Sequence, residues 1–387
     1  MPEAVIVDAV RTPIGRAFKG SLAELRPDEM GAFVVDSLLE RNPEVDPELI
    51  EDVLCGVGTP QGLQGFNLAR IIVLLSKRLP ISTNGVTVSR YCASSLESIR
   101  QAGNAVAAGQ GDAYVAAGVE WVSRYNEAVD AARPQDRNEA LQGNDGQPDA
   151  YIAMGMTAEN VADRYEVSRS DMDEYAQRSQ ELAVQSQENG YFDREIVPVA
   201  LPGGTTVAKD DGPRAGSTLE KLAELDPVFR EDGKVTAGNS CPLNDGAAAV
   251  LVMSDRKADE LGLRPRARIM TSATAAIEPE YMGVTPIWAV RKVLDLAGMT
   301  IDDVDTVELN EAFAAQVIPI MDECSIPLEK LNPHGGAIAL GHPFGMTGAR
   351  IMTTLLNGLE TDDKTIGLET MCVAGGQGQA MLVERLH

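Results

Sequence analysis

Strand and helix signals alternate through the first 120 residues and return in the last third of the chain. Ala4–Asp8 reads as a strand, and Pro27–Glu40 carries Met30, Phe33, Val34 and Leu38 at helical spacing. Val53–Val57 reads as a strand, Leu68–Leu75 as a helix, Gly85–Tyr91 as a strand, Ala93–Ala108 as a helix and Asp112–Val119 as a strand. Further on, strand Ala267–Ala276 precedes helix Pro286–Ala297, and strand Val304–Leu309 runs at once into a helix over Asn310–Met321. Helix Thr347–Leu356 and a hairpin of Thr365–Met371 with Gly378–Glu384 close the chain. Such alternation specifies an α/β layered sheet. Its recurrence is the pattern of an internal duplication, although no run of matching residues carries it.

The texture changes between Glu120 and Asn239. Arg133–Asp149 and Gly203–Ser217 read as loops, and Thr157–Tyr165 and Arg169–Asn189 as charged helices. The block reads as an insertion that folds over something, before Gly246–Met253 resumes a buried strand. The expected organisation is one half from 1–120 plus 240–265, an inserted loop domain over 121–239, and a second half from 266–387.

The formal charge of −25 repels phosphate backbones and anionic membranes, which argues against a nucleic-acid or membrane partner. An acidic ligand needs a local basic patch. Five cysteines, odd in number and widely spread without a CxxC pair, read as reduced thiols of a cytoplasmic protein. No secretory signal or membrane-spanning run is expected. No His/Cys cluster has metal-ligand spacing, so no metal is expected.

The chemistry concentrates at a few positions. Cys92 falls between a strand and a helix. A helix N-terminus stabilises a thiolate, and thiols so placed have pKa values below the usual ~8.5. Of the three histidines, His387 is terminal. His334 and His342 lie in or beside a glycine-rich stretch that allows close backbone approach to a ligand. Asn310 is either a helix N-cap or a donor at a strand end facing a cleft. Cys372 opens CVAGGQG after a strand. It is either a buried small hydrophobe or a proton donor beside exposed backbone N–H groups. Cys55 and Cys324 read only as core residues.

Taken together, VIVDAVRTPIG, the Cys92 segment, MGMTAENVA (154–162), TAGNSCPLNDGAAA (236–249), NEAF, GGAIALGHPFGMTGAR (335–350) and CVAGGQG resemble the thiolase family in their order along nearly the whole chain. The resemblance implies a duplicated, layered αβαβα fold with an inserted loop domain. It implies an acyltransferase that cleaves 3-ketoacyl-CoA thiolytically, or runs the reverse condensation. Cys92 then resembles the acyl-accepting nucleophile, His342 its base, and Cys372 the acid/base at the α-carbon. Asn310 resembles the residue that holds a water, which with His342 forms one oxyanion hole. The backbone N–H groups of Cys92 and Ala374 would form the second.

By the same likeness Arg214 meets the nucleotide end of CoA, Met154 and Cys241 line the pantetheine channel, and His334 belongs with the substrate-binding residues. CoA enters as a substrate, with no permanently bound cofactor, and a homodimer or homotetramer is expected. This chain departs from the family where Cys372-Val373-Ala374 replaces the frequent CIGGG, where Cys241 replaces Ser, where His334 replaces Asn, and where Ala153 stands for the His of short-chain members. These changes lean the substrate toward longer or varied acyl chains. The rival readings are a ketosynthase-like condensing enzyme and an inert acyl-CoA or lipid carrier on the same fold.

Overall fold

The computed structural model describes residues 2–124 and 137–387. The strands are β1 (Ala4–Arg11), β2 (Gly15–Arg16), β3 (Ile50–Val57), β4 (Asn84–Val88), β5 (Ala113–Trp121), β6 (Val199–Ala200), β7 (Thr206–Val207), β8 (Asn244–Ser254), β9 (Ala267–Ala276), β10 (Thr306–Leu309), β11 (Ile366–Val373) and β12 (Gln377–Arg385). Ten of them share one sheet, ordered β10-β11-β12-β9-β1-β8-β5-β3-β4 with β2 beside β8. β6 and β7 pair separately.

Two halves meet at a narrow seam. β1 and β9 pair only at Val5–Arg268 and Ile6–Ala267. On one side, β3–β5 is parallel, while β5–β8 and β8–β1 are antiparallel. On the other, β10–β11 is parallel, while β11–β12 and β12–β9 are antiparallel. Even β4, parallel to β3, has a counterpart in the parallel bridge from Val307 to Leu331. The repeat therefore lies in pairing and handedness, which constrain burial pattern rather than residue identity.

Apolar alternation builds the layers. Helices Pro27–Arg41 and Leu68–Leu75 cover one face of the first half-sheet with Val34, Leu38, Leu68 and Ile72. Helices Pro286–Ala297 and Ala314–Glu323 cover the outer face of the second with Ile287, Val290, Val317 and Ile320. Between the half-sheets lie helices Ser94–Ala107 and Thr347–Thr361, whose Leu96, Ile99, Ile351 and Leu355 join strand residues such as Ile6, Val250, Met371 and Met381 in a central core. The result is helix, sheet, helix, sheet, helix. The two central helices touch closely because Gly348 has no Cβ. One built there would meet the Leu96 backbone nitrogen at 2.3 Å.

Helices Met154–Arg164 and Arg169–Glu188, from the middle block, pack Ala158, Val161, Met172 and Tyr175 onto the second half's outer core. Ser168 starts the longer one with a capping box to Asp171. Of the loop expected over 133–149, residues 133–136 lie outside the described residues; the remainder carries 3-10 turns at Glu139–Leu141 and Asn144–Gly146. Two helix starts differ from expectation. The helix after β10 begins at Ala314, with Phe313 as its N-cap, because Phe313 is held extended by a bridge to Ser240. Asn310 is therefore a strand-end residue and not a cap. The first central helix begins at Ser94, after a 3-10 turn over Tyr91–Ala93 that contains Cys92.

Candidate active site

Four loops bring the site together from both halves. Cys92 follows Tyr91, whose backbone lies in the left-handed region at φ 43°. For a non-glycine residue this costs about 1–2 kcal/mol. His342 follows Gly341, which has φ 114° and no room for a Cβ beside the Asn244 side chain. Asn244, at the start of β8, accepts the His342 backbone N–H at 3.1 Å and donates to the Gly15 carbonyl at 3.0 Å. One buried amide thus ties the histidine loop to the first half.

The tautomer of His342 follows from its partners. The Thr347 hydroxyl donates to the Pro343 carbonyl at 2.8 Å, so it can only accept from the imidazole, 2.7 Å away at Nδ1. Nδ1 therefore carries the hydrogen and Nε2 the lone pair. Asn310 Nδ2 lies 3.3 Å from that lone pair and donates to it. Burial, aided by the positive Arg350, lowers the imidazole to about 3. The ring is a neutral base.

Contacts continue from Asn310. Gln316 Nε2 donates to the Asn310 carbonyl at 3.4 Å and to Cys372 Sγ at 3.1 Å. Burial raises the Cys372 thiol to about 11 despite that N–H, so it is held protonated. Cys372 in turn interacts electrostatically with Cys92 and Cys241. Burial, reinforced by those two thiols and by Glu120, drives Cys92 well above the ordinary thiol range; the Ala374 backbone amide alone opposes this. The lowered pKa expected from a helix N-terminus is thus overturned. Cys92 sits in a 3-10 turn ahead of the helix and is half-buried. Dehydration outweighs the dipole, and the thiol rests protonated.

The remaining expected residues divide. Met154 opens its helix and packs, part-buried, with Cys241 on the apolar cluster that contains Cys372 and Phe313. Cys241 N–H donates to the Ala312 carbonyl at 3.0 Å, which places this thiol beside NEAF. Arg214 is exposed; its backbone N–H donates to Gln180 Oε1 at 2.8 Å, and its guanidinium is lowered by partial desolvation and by Arg16. Two like charges thus converge on one spot of an acidic protein. His334 is not brought to this cluster. It stacks on Tyr191, with ring centroids 3.7 Å apart, against Gly358. Gly358 lies about 16 Å along its helix from Thr347, at 1.5 Å per residue. Cys55 and Cys324 are buried core residues as expected.

Several residues of the site went unnoticed in the sequence. Asn244, Gln316 and Thr347 act through side-chain partners 98, 56 and 5 residues away. Only Thr347 had a local signal, lying one helical turn after Pro343. Glu120, fully buried on β5, accepts from the backbone of Gly58 and Gly345, each at 2.7 Å, and from Gln64 at 2.8 Å. It locks the loop after β3 to the histidine loop.

The chain matches the thiolase N-terminal domain over residues 4–256 and the thiolase C-terminal domain over 263–385. It is 44% identical to the β-ketoadipyl-CoA thiolase of Pseudomonas aeruginosa across 99% of both chains. It is 41% identical to the 3-ketoacyl-CoA thiolase of Bacillus subtilis, across 99% of this chain and 100% of that one. Among solved structures, the dimeric peroxisomal thiolase of Saccharomyces cerevisiae superposes with a TM-score of 0.92 at 37% identity, covering 100% of this chain and 98% of that one. On fold and sequence alike, the chain belongs to the thiolase family and is an acyltransferase.

Proposed function

We propose that this enzyme cleaves 3-ketoacyl-CoA thiolytically through an acyl-Cys92 thioester. The carrying observation is the hydrogen-bonded path from the lone pair of His342 through Asn310 and Gln316 to Cys372, a thiol that acts electrostatically on Cys92 beside the Ala374 amide. His342 Nε2 takes the Cys92 proton as the sulfur attacks the 3-keto carbon. The imidazolium so formed, with a water held by Asn310, stabilises the resulting oxyanion. The C2–C3 bond then breaks, and the enolate of acetyl-CoA, held by the Cys92 and Ala374 N–H groups, takes a proton from Cys372. In the second half-reaction the Cys372 thiolate takes the proton of CoA–SH as its sulfur attacks acyl-Cys92. His342 returns its proton to the departing Cys92 sulfur, and the cycle closes. A protonated Cys92 and a neutral His342 at rest suit this order, because ionisation is deferred to the moment of attack.

Arg16 and Arg214 are the local basic patch for the anionic end of CoA, and Met154 and Cys241 border its pantetheine arm. The relatives' names support two acyl classes, a dicarboxylic 3-ketoacyl group and ordinary fatty 3-ketoacyl chains. The assembly is a homodimer in this reading. β4 is a sheet end, and near it Phe66 and Ile81 are 94% and 76% exposed. An unpaired edge with apolar neighbours favours pairing with a second copy. Cytoplasmic residence belongs to the same reading.

Acetoacetyl-CoA mixed with CoA should lose its enolate absorbance. Cys92→Ala should show neither that loss nor an acyl adduct by mass spectrometry. An adduct on the variant would move the nucleophile elsewhere, and condensation with malonyl donors in place of thiolysis would favour a ketosynthase. Relative kcat/KM for 3-oxoadipyl-CoA and for straight-chain 3-ketoacyl-CoA decides the acyl class.

A further inference from the structure

The proposed cycle asks one thiol, Cys372, to give a proton in the first half-reaction and to take one in the second. A thiol in an apolar pocket does the first step poorly, because nothing stabilises the thiolate it leaves. A thiol facing a fixed cation has the opposite fault, since it stays ionised and has no proton to give. What the cycle needs is a neighbour that serves both forms. A primary amide is such a group, having N–H donors and a carbonyl acceptor on one rigid plane.

Gln316 presents both to Cys372. Its Nε2 donates to Sγ at 3.1 Å, and its Oε1 lies 3.5 Å from the same sulfur, where it accepts the S–H. Gln316 is fully buried on the helix Ala314–Glu323, two residues past the N-terminus of that helix. Its position is pinned twice. Nε2 also donates to the Asn310 carbonyl, and a Cβ at Gly283 would meet Gln316 Cβ and Oε1, each at 3.0 Å. The neighbouring groups that titrate are the Cys92 and Cys241 thiols, both held protonated by burial. Among the described residues, burial and the hydrogen bonds from Gln316 and the Cys372 backbone set the state of this thiol.

We propose that Gln316 is the positioning residue of the acid/base step, its amide switching between acceptor for the Cys372 thiol and donor for the Cys372 thiolate. The inference rests on the reading of Cys372 as that acid/base. Gln316 touches the thiol rather than the reacting carbon, so its removal should slow α-proton transfer and leave alone acylation of Cys92 by an ester whose leaving group needs no proton.

Three proteins test this: wild type, Gln316→Leu and Cys372→Ala, each assayed for exchange of acetyl-CoA methyl protons in deuterated water and, by mass spectrometry, for acyl-Cys92 formation from p-nitrophenyl acetate, whose leaving group needs no proton. Gln316→Leu keeps volume and removes both hydrogen bonds. Its exchange rate should fall about tenfold to hundredfold, the range of one hydrogen bond to a charged group, with acylation of Cys92 at the wild-type rate. The alkaline limb of its exchange profile should move to higher pH, since the thiolate has lost the Gln316 donor. Wild-type exchange in Gln316→Leu, with Cys372→Ala inactive, would overturn the role of Gln316 alone. Wild-type exchange in Cys372→Ala would overturn the acid/base reading beneath it. Equal loss of acylation and exchange in Gln316→Leu would reduce Gln316 to a packing residue and overturn the inference too.

Discussion

Each reactive group in this enzyme is defined by a neighbour that does not itself react. Thr347 shows this most directly. Its single hydroxyl hydrogen is committed to Pro343, so its lone pair must receive the imidazole Nδ1–H and leave Nε2 basic. Thr347→Val, nearly isosteric, frees the ring to adopt either tautomer and strands a buried N–H. Acylation of Cys92 should slow by at least about tenfold, a part of the 10²–10⁴ that a general base contributes. Stopped-flow release of the first product measures it, and an unchanged burst rate would contradict the tautomer assignment. At this scale the sequence was half legible. Cys92, His342, Asn310 and Cys372 stand in local motifs, and the structure connects them. The supporting amides Asn244 and Gln316 do not, because a hydrogen bond between residues 98 apart leaves no local pattern. His334 failed for the converse reason: a glycine-rich neighbourhood marks a backbone that approaches something closely, here Ala183 beside Gly335 rather than a ligand.

Among elements, the central helix pair decides whether the reactive loops meet. Cys92 precedes Ser94–Ala107, and His342 precedes Thr347–Thr361, so the spacing of those helices fixes the spacing of the loops. Gly348 packs against Leu96, and a Cβ added at Gly56 on β3 would meet the Ser95 nitrogen at 2.3 Å, so backbone lies close to backbone at both contacts. Gly348→Ala cannot be absorbed by a flexible side chain, since the atom it meets is main chain. It should cost about 1–3 kcal/mol or more, as overpacked cores do, and lower activity beyond the loss of folded protein. Denaturant midpoints together with the specific activity of the folded fraction test this; an unaltered midpoint would mean that the helices separate freely. The helices themselves were readable from apolar spacing to within a few residues. The start of the helix after β10 was not, because Phe313 is held extended by Ser240, from 73 positions earlier in the chain.

The whole molecule buries more charge than its acidic surface suggests. Glu308 and Glu369 stand opposite one another on the parallel strands β10 and β11, at 2% and 0% exposure. They face the interior with Arg350, whose Nε and Nη1 have no hydrogen-bond partner there. Burial raises Glu308 from 4.5 to about 8, and Glu369 well above its ordinary range. The folded state therefore holds protons that the unfolded chain releases. This contribution to stability is complete below about pH 4.5 and is lost as pH rises toward 8. His342 works in the opposite sense, its lowered pKa costing stability as pH falls from 6.5 toward 3. Glu308→Gln should flatten the fall in Tm between those acid and alkaline limits, by on the order of a few degrees. A Tm profile parallel to wild type would show that Glu308 is ionised in the fold.

Apolar periodicity and turn residues, which act over a few neighbours, were enough to determine most strands and helices and the α/β class, and the likeness of local motifs to a family marked the reactive side chains. The duplication became visible only through strand pairing, because pairing order constrains burial and direction without requiring matching residues. The protonation of Cys92 was likewise decided by tertiary structure. A helix end promises a thiolate locally, but burial of the thiol, reinforced by the charges of two other cysteines and a distant carboxylate, is a property of the assembled core.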